Sequence, residues 1–265
     1  PEMAISIANQ AGWEELSVRV GFAADMAARN ADRTKVAAKE KKNTNLFQSD
    51  DFPPTSMDYY SDTNRTSFEA TVLGCSSLSE SQLSSLNLSN EVTNDPTHYV
   101  VLDRTLFYPE GGGQLGDQGS LGGVLVCDTR VENGIVFHLT NGAVKAGAVS
   151  GTVSLDRRRQ LMDHHTAVHV VGGSARALLG PHIWQAGSNK GARYARIDLT
   201  HFSRLSRDEL NRIEDHSNDV ISSDVAVEKL EMPRAEADEI FGFELYQGGP
   251  PKSSQIRAVS YTHLT

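Results

Sequence analysis

The spacing of apolar residues along the sequence changes near residue 155, and this change limits the folds that the chain can adopt. Upstream of it, short apolar runs lie at 98–102, 123–127, 135–139 and 149–155, and glycine-containing turns separate them. Closely spaced short strands favour a small antiparallel barrel, and Asn133-Gly134 is typical of a two-residue hairpin turn. Downstream, apolar residues recur every three or four positions over 156–179, which predicts one long helix ending at Gly180.

Together with the remaining segments, this pattern predicts an α+β fold in three parts. Residues 1–50 are alanine-rich and predict a short helical segment, 51–155 a small antiparallel β-barrel subdomain, and 156–265 a two-layer α/β subdomain. In the third part we expect strands at 183–186, 194–199, 225–230 and 256–260 and helices at 206–222 and 233–241. The serine-rich stretch 76–97 predicts a surface excursion without a chemical role.

Composition excludes several classes of protein. The net charge is −9, from 25 Lys+Arg against 34 Asp+Glu, which weighs against a dedicated nucleic-acid-binding domain but allows a local basic stripe. No apolar run approaches the roughly 18–20 residues that span a bilayer. With only Cys75 and Cys127, a disulfide framework and a zinc site of three or four cysteines are excluded. No leader pattern precedes the first segment, so we expect a cytoplasmic protein, and its abrupt ends indicate a fragment of a longer chain.

Two histidines on the predicted long helix form a candidate metal site. His165 and His169 are one turn apart, so their side chains share a face, with Cβ atoms about 5–6 Å apart. Such a pair can bind one metal ion. Two ordinary helix histidines remain the alternative, because nine histidines in 265 residues produce such spacings by chance. No glutamate lies between them in the HExxH manner, which excludes a zincin protease.

A run of three glycines followed by Gln114 is a candidate binding loop. Gly111, Gly112 and Gly113 allow backbone N–H groups to approach a ligand closely. A flexible hairpin turn is the alternative, and the run matches neither a Walker loop nor GxGxxG. Positive charge comes from Arg157 at the start of the long helix and from Lys190 and Arg193 between two predicted strands. These cations would either contact phosphate or serve solubility.

Three segments, in this order, resemble motifs of the alanyl-tRNA synthetase family's editing domains and of its freestanding trans-editing relatives. They are LDRTLFYPEGGGQ at 102–114, HHTAVH at 164–169 and ARIDLTHF at 195–202. Two further stretches, 53–60 and 242–249, resemble the archaeal type of synthetase. The resemblance covers about 53–258, and residues 1–50 would then be the tail of the preceding synthetase body.

The resemblance implies a hydrolase that cleaves the ester of Ser-tRNA(Ala) and Gly-tRNA(Ala), with tRNA(Ala) as partner and neither a membrane nor DNA. Aminoacylation and ATP binding would belong to an upstream domain. The implied site residues are Thr105 for the serine hydroxyl, Gly111, Gly112, Gly113 and Gln114 around the ester, His165 and His169 for zinc, and Arg157, Lys190 and Arg193 for tRNA phosphates.

One departure from the family pattern affects the metal. The family completes its zinc site with a Cys-x-x-x-His pair beyond the last strand, where this chain reads Ser-Tyr-Thr-His-Leu-Thr at 260–265. Two histidines alone would bind zinc weakly, since zinc sites use three or four protein ligands. Two alternatives therefore stay open: a freestanding aminoacyl-tRNA deacylase, and a catalytically silent tRNA- or protein-binding module of the same fold.

Overall fold

The computed structural model describes residues 46–47, 51–241 and 254–261. The chain divides into two compact units, 1–46 and 47–265. Almost all of the predicted helical segment 1–50 lies outside the described residues, and the predicted three-part division stays a prediction. Among the described helices, none is long and apolar enough to cross a membrane.

The first half consists mainly of β-strands. The elements up to residue 153 are β1 (Ser56–Met57), a 3-10 turn (Asp58–Tyr60), β2 (Ser67–Ser77), α1 (Glu80–Ser85), β3 (His98–Leu102), β4 (Arg104–Thr105), β5 (Gly119–Leu121), β6 (Val124–Glu132), β7 (Ile135–Thr140) and β8 (Gly147–Val153). Six of these strands pair in a closed antiparallel barrel, in the order β2-β3-β7-β6-β5-β8. Buried apolar side chains, among them Val100, Leu102 and Phe107, fill the interior. Burial of this apolar surface is the main stabilising term.

The turn between β6 and β7 forms where the sequence predicts it. Asn133 and Gly134 have φ values of 52° and 80°. A two-residue turn of the type that matches strand twist requires positive φ at both positions, and asparagine and glycine adopt it with the least strain.

The second half consists of helices and short two-stranded sheets. Its elements are α2 (Leu155–Leu179), β9 (Gln185–Lys190), β10 (Ala195–Leu199), α3 (Arg207–Ser222), β11 (Val227–Pro233), α4 (Arg234–Phe241) and β12 (Gln255–Tyr261). The long helix α2 ends at Gly180, whose φ is 113°, and Ser206 and Glu209 form the predicted capping box of α3. Ala175, Ile183 and Ile213 join α2 and α3 in one apolar cluster. The α+β class is therefore confirmed.

Two predictions for local structure are wrong. The strand predicted at 183–186 lies at Gln185–Lys190, and Ile183 is a core residue instead. Its pairing with β10 joins Lys190 to Ala195, so Lys190 belongs to the strand and not to the loop. The apolar pattern misled because β9 is built of small and polar residues. The four strands of this half form two separate antiparallel pairs, β9–β10 and β11–β12.

The serine-rich stretch 76–97 is also more than a surface excursion. It contains α1, which begins with a capping box between Ser79 and Gln82. Farther along, the Glu91 side chain is only 7% exposed and pairs with Arg157 at 2.8 Å. The sequence did not indicate this contact, because a single carboxylate in a polar segment gives no periodic signal of its distant partner.

Candidate active site

The three-glycine run forms a tight turn in which Gly113 must be glycine. Gly111 and Gln114 exchange backbone hydrogen bonds of 3.0 and 2.9 Å across it. Gly112 and Gly113 have φ values of 58° and 78°, in the left-handed region. A Cβ atom at Gly113 would lie 2.4 Å from the carbonyl oxygen of Ser188, so the turn and β9 approach backbone to backbone.

Lys190 fastens this turn to β9 with both its backbone and its side chain. Its N–H donates to the Gly113 carbonyl at 2.7 Å, and its ammonium donates to the Gly112 carbonyl at 2.6 Å and to Ser188 Oγ at 2.7 Å. The residue is 2% exposed, and burial lowers the pKa of the ammonium. In this arrangement Lys190 binds the protein's own loop, although the sequence predicts a contact with tRNA phosphate.

The turn leaves two backbone donors available. Within the described part of the chain, the N–H groups of Gly112 and Gly113 donate to no protein acceptor. Gly112 is exposed and Gly113 half-buried. Adjacent N–H groups in a turn of this kind can bind an anion or a developing oxyanion.

Gln114 connects the turn to the helix that carries the histidine pair. Its side chain is 4% exposed, and its Oε1 lies 2.8 Å from His165 Nδ1. An amide oxygen only accepts, so Nδ1 of His165 carries the proton and Nε2 keeps its lone pair. Burial, assisted by the charges of Lys190 and His169, lowers the pKa of His165 to about 4. The imidazole is therefore neutral at physiological pH.

The second histidine completes a stacked pair, but the pair alone is not a complete zinc site. The rings of His165 and His169 lie 5.1 Å apart between centroids, at an interplanar angle of 16°. Burial and the charge of Lys190 also lower the pKa of His169. Among the described residues, no group of three or more His, Cys, Asp or Glu side chains could hold a metal ion. Since zinc sites use three or four protein ligands, the two histidines would need at least one further ligand to hold zinc firmly.

The other predicted phosphate contacts lie around Glu91. Arg157 is 10% exposed and pairs with the Glu91 carboxylate at 2.8 Å. The same carboxylate accepts hydrogen bonds from the backbone N–H groups of Ala192 and Arg193. Arg193 is exposed at the β9–β10 turn. Glu91 therefore joins the start of α2 to that turn, and Arg157 serves this link.

Thr105 of β4 lies in the interior, next to His138 of β7. It is fully buried, and its hydroxyl accepts from the N–H of Phe107 at 3.0 Å. His138 lies 2.8 Å from the same hydroxyl and donates from Nδ1 to the Val100 carbonyl. Burial lowers the pKa of His138 to about 4, so its Nε2 is an acceptor and the Thr105 hydroxyl donates to it. One acceptor position of that hydroxyl remains for another group.

A buried ion pair that the sequence did not reveal holds the glycine turn against α2. Asp117 and Arg158 form a salt bridge, with side chains 1% and 4% exposed. Asp117 also accepts from the Tyr108 N–H at 2.7 Å. Arg158 further donates to the carbonyls of Leu106 at 2.6 Å and Thr63 at 3.2 Å. The start of α2 is thereby joined to the segments on either side of the glycine turn.

Comparisons with known proteins identify the family of the chain. The sequence model of the family described as tRNA synthetases class II (A) matches residues 2–157, including the amino-terminal segment for which the motifs gave little. The chain is 36% identical to an alanine–tRNA ligase of Haloquadratum walsbyi over 98% of this chain and 26% of that protein. It is 37% identical to an alanine–tRNA ligase of Methanopyrus kandleri over 98% of this chain and 27% of that protein.

A third relative, an alanine–tRNA ligase of Halorubrum lacusprofundi, is 38% identical over 98% of this chain and 26% of its own length. The chain thus spans about a quarter of the length of the curated relatives that it matches. Its family match and its relatives lead to one conclusion: the chain belongs to the class II (A) family of tRNA synthetases, with archaeal alanine–tRNA ligases among its homologues.

Proposed function

We propose that the chain is the part of an alanyl-tRNA synthetase that hydrolyses the ester of Ser-tRNA(Ala) and Gly-tRNA(Ala). The observation that carries the proposal is the meeting of Gln114 and His165 at 2.8 Å. These residues come from two separate motifs of the editing-domain resemblance, one in the barrel and one on α2. Aminoacylation, with its ATP, belongs to an upstream domain.

Such a hydrolytic site answers a chemical need. A pocket built for alanine cannot strongly reject glycine, which is smaller, or serine, which adds one hydroxyl. A second site that hydrolyses the wrong esters restores accuracy. The partner of this site is tRNA(Ala), which carries the amino acid as an ester on its terminal ribose.

The described groups suit ester hydrolysis. Water attacks the ester carbonyl carbon, the bond to the ribose oxygen breaks, and that oxygen takes up a proton. The free N–H groups of Gly112 and Gly113 would stabilise the negative charge on the carbonyl oxygen. In the absence of a metal, Nε2 of neutral His165 would accept a hydrogen bond from the attacking water; where zinc is bound, the same lone pair would be its ligand. The ammonium of Lys190 adds positive charge behind the turn without touching the substrate.

Zinc enters the proposal only as a ligand of His165 and His169. Nε2 of His165 has a lone pair because Nδ1 donates to Gln114, an arrangement that orients metal-binding histidines in many proteins. The described residues supply two of the three or four ligands that zinc requires. The proposed hydrolysis therefore assigns no step to the metal.

We also propose that Thr105 binds the hydroxyl of the serine ester. Its own hydroxyl would accept that hydrogen bond at the one acceptor position that His138 and Phe107 leave open. Thr105→Val removes that position with little change of volume. We expect hydrolysis of the seryl ester to weaken more than hydrolysis of the glycyl ester, in parallel assays of both substrates. Equal losses would remove Thr105 from this role.

The experiment that tests the function measures deacylation of Ser-tRNA(Ala) by this chain beside Ala-tRNA(Ala). We expect faster hydrolysis of the seryl ester, and its loss in the His165→Ala variant. His98→Ala is the matched control, because His98 lies on β3 and its Nδ1 contacts only Thr97 among the hydrogen bonds described. Equal rates for both esters, or full activity of His165→Ala, would contradict the proposal.

One observation favours a second candidate, a catalytically silent tRNA-binding module of the same fold. The described donor set for zinc stops at two histidines. Tight binding of tRNA(Ala) with no turnover of either mischarged ester would support this candidate. A freestanding deacylase is less well supported, because the archaeal relatives that match 98% of this chain are alanine–tRNA ligases.

A further inference from the structure

A cavity of about 230 Å³ lies directly beside Gln114 and His165. Three tyrosines, Tyr59, Tyr60 and Tyr108, line it. Two cations from the β11–β12 pair, Lys229 and Arg257, line it as well. The proposed hydrolytic groups account for only part of this lining, and the tyrosines and the two cations have no role in that chemistry.

The tyrosines form an aromatic platform with one exposed ring. Tyr59 is 3% exposed, and its ring lies 4.5 Å from that of Tyr60 and 5.3 Å from that of Tyr108 between centroids. Tyr60, by contrast, is 49% exposed. The guanidinium of Arg257 lies 4.3 Å from the Tyr60 ring centroid. A planar ring and a planar cation are thus presented together at the edge of the cavity.

Strand pairing places the cations on the same face of the β11–β12 sheet. Arg257 is paired with Glu231, and Lys229 lies two residues before Glu231 on β11, so the three side chains share a face. Ile256 and Ala258 point to the opposite face and are buried. Glu231 contacts Arg257 at 3.4 Å but is itself 75% exposed. Lys229 is exposed and makes no ion pair within the described chain.

We propose that this cavity binds the terminal nucleoside of the tRNA acceptor end, with its base against Tyr60 and its phosphate near Lys229 and Arg257. The inference rests on the proposed function, because the ester to be cleaved is carried by the ribose of that nucleoside. Unpaired RNA ends are recognised by stacking on aromatic rings and on guanidinium planes, and by cations along the backbone. In this pose the ribose lies between the platform and the Gln114–His165 pair.

The charge distribution supports the assignment. The whole chain has a net charge of −9, so binding of a polyanion depends on local positive charge. Two of the cations that the sequence suggested for phosphate, Arg157 and Lys190, are buried in contacts within the protein. Lys229 and Arg257 lie beside the aromatic platform and line the cavity itself.

The test measures binding, not hydrolysis. The probe is an uncharged RNA hairpin copying the acceptor stem of tRNA(Ala) with its CCA end, compared with the same hairpin without the terminal adenosine. We expect Tyr60→Leu to weaken binding of the complete hairpin about tenfold. Tyr60→Phe, which keeps the ring, should bind within about twofold of the unaltered chain. Removal of the terminal adenosine should weaken binding by the unaltered chain and hardly affect Tyr60→Leu.

Salt dependence tests the cations separately. The double variant Lys229→Gln/Arg257→Gln should reduce the slope of log K against log salt by about 0.7, the value for one phosphate contact on a single strand, and each single variant should reduce it by less. Lys145→Gln is the control, because Lys145 is exposed and does not line the cavity. An unchanged slope in the double variant would overturn the assignment of the phosphate.

The two proposals can fail independently. Binding that depends on Tyr60 and on the terminal adenosine, without hydrolysis of a seryl ester, would refute the hydrolytic function and keep this inference. Hydrolysis with an unchanged KM in Tyr60→Leu, together with equal binding of both hairpins, would refute the inference and keep the function.

Discussion

The buried pair of Asp117 and Arg158 provides the most quantitative test of how the site is held together. Arg158→Met removes the guanidinium that donates to the Asp117 carboxylate and to the carbonyls of Leu106 and Thr63. The Asp117 side chain is 1% exposed and would keep only the Tyr108 N–H among its described side-chain partners. The variant thus leaves a charge in the interior without its counter-ion.

Removal of one partner from a buried ion pair typically costs about 3–5 kcal/mol. We therefore expect the free energy of unfolding of Arg158→Met to fall by that amount. For a unit of this size each kcal/mol lowers Tm by about 2–4 °C, so Tm should fall by about 6–20 °C. Arg104→Met is the matched control: its partner is Asp58, the arginine side chain is 51% exposed, and the expected loss is about 0–1 kcal/mol.

Urea denaturation of the two single variants Asp117→Asn and Arg158→Met, and of the double variant, measures the coupling. The double variant should lose less than the sum of the single losses, because neither charge is then left unpaired. A loss below about 1 kcal/mol in Arg158→Met, or simple additivity, would refute the reasoning that this pair holds the glycine turn to α2.

Three further predictions concern titration and metal. Burial raises the pKa of the Glu91 carboxyl, but hydrogen bonds from Ala192 and Arg157 outweigh burial and lower it. In urea titrations, the free energy of unfolding of the unaltered chain should exceed that of Glu91→Gln by the full difference above about pH 5. This difference should close as the pH falls through the lowered pKa. Burial lowers the pKa of His138 to about 4, so about 3 kcal/mol of stability should be lost as pH falls from about 6.5 to 4, and a flat profile there would contradict its neutral state. EDTA should remove zinc bound by His165 and His169, as measured by elemental analysis. One zinc per chain that resists EDTA would contradict a two-ligand site.

Local patterns predicted the elements whose partners are close in sequence. The β6–β7 hairpin follows from the short apolar runs on either side of Asn133-Gly134, and α2 follows from its three-and-four spacing. The capping box of Ser206 and Glu209 marked the start of α3 at the residue where the helix begins. In each case the signal and the structure that it encodes lie within one element.

The site itself could be predicted only in part. The motifs indicated Gln114 and His165 separately, but their contact depends on the position of α2 against the barrel. Lys190 looked like a solvated cation because β9 lacks apolar alternation, although pairing with β10 buries it. Lys229 and Arg257 reach the cavity through a long-range strand pairing that no local pattern encodes.

The central claim is that residues from the barrel and from α2 form one ester-hydrolysing site. The most direct test is a double-mutant cycle on kcat/KM for deacylation of Ser-tRNA(Ala), with Gln114→Ala, His165→Ala and the double variant. Because His165 donates to Gln114 at 2.8 Å, each single variant should lose activity and the double variant should lose little more than the worse single variant. Losses that multiply independently, or no hydrolysis by the unaltered chain, would contradict a single site.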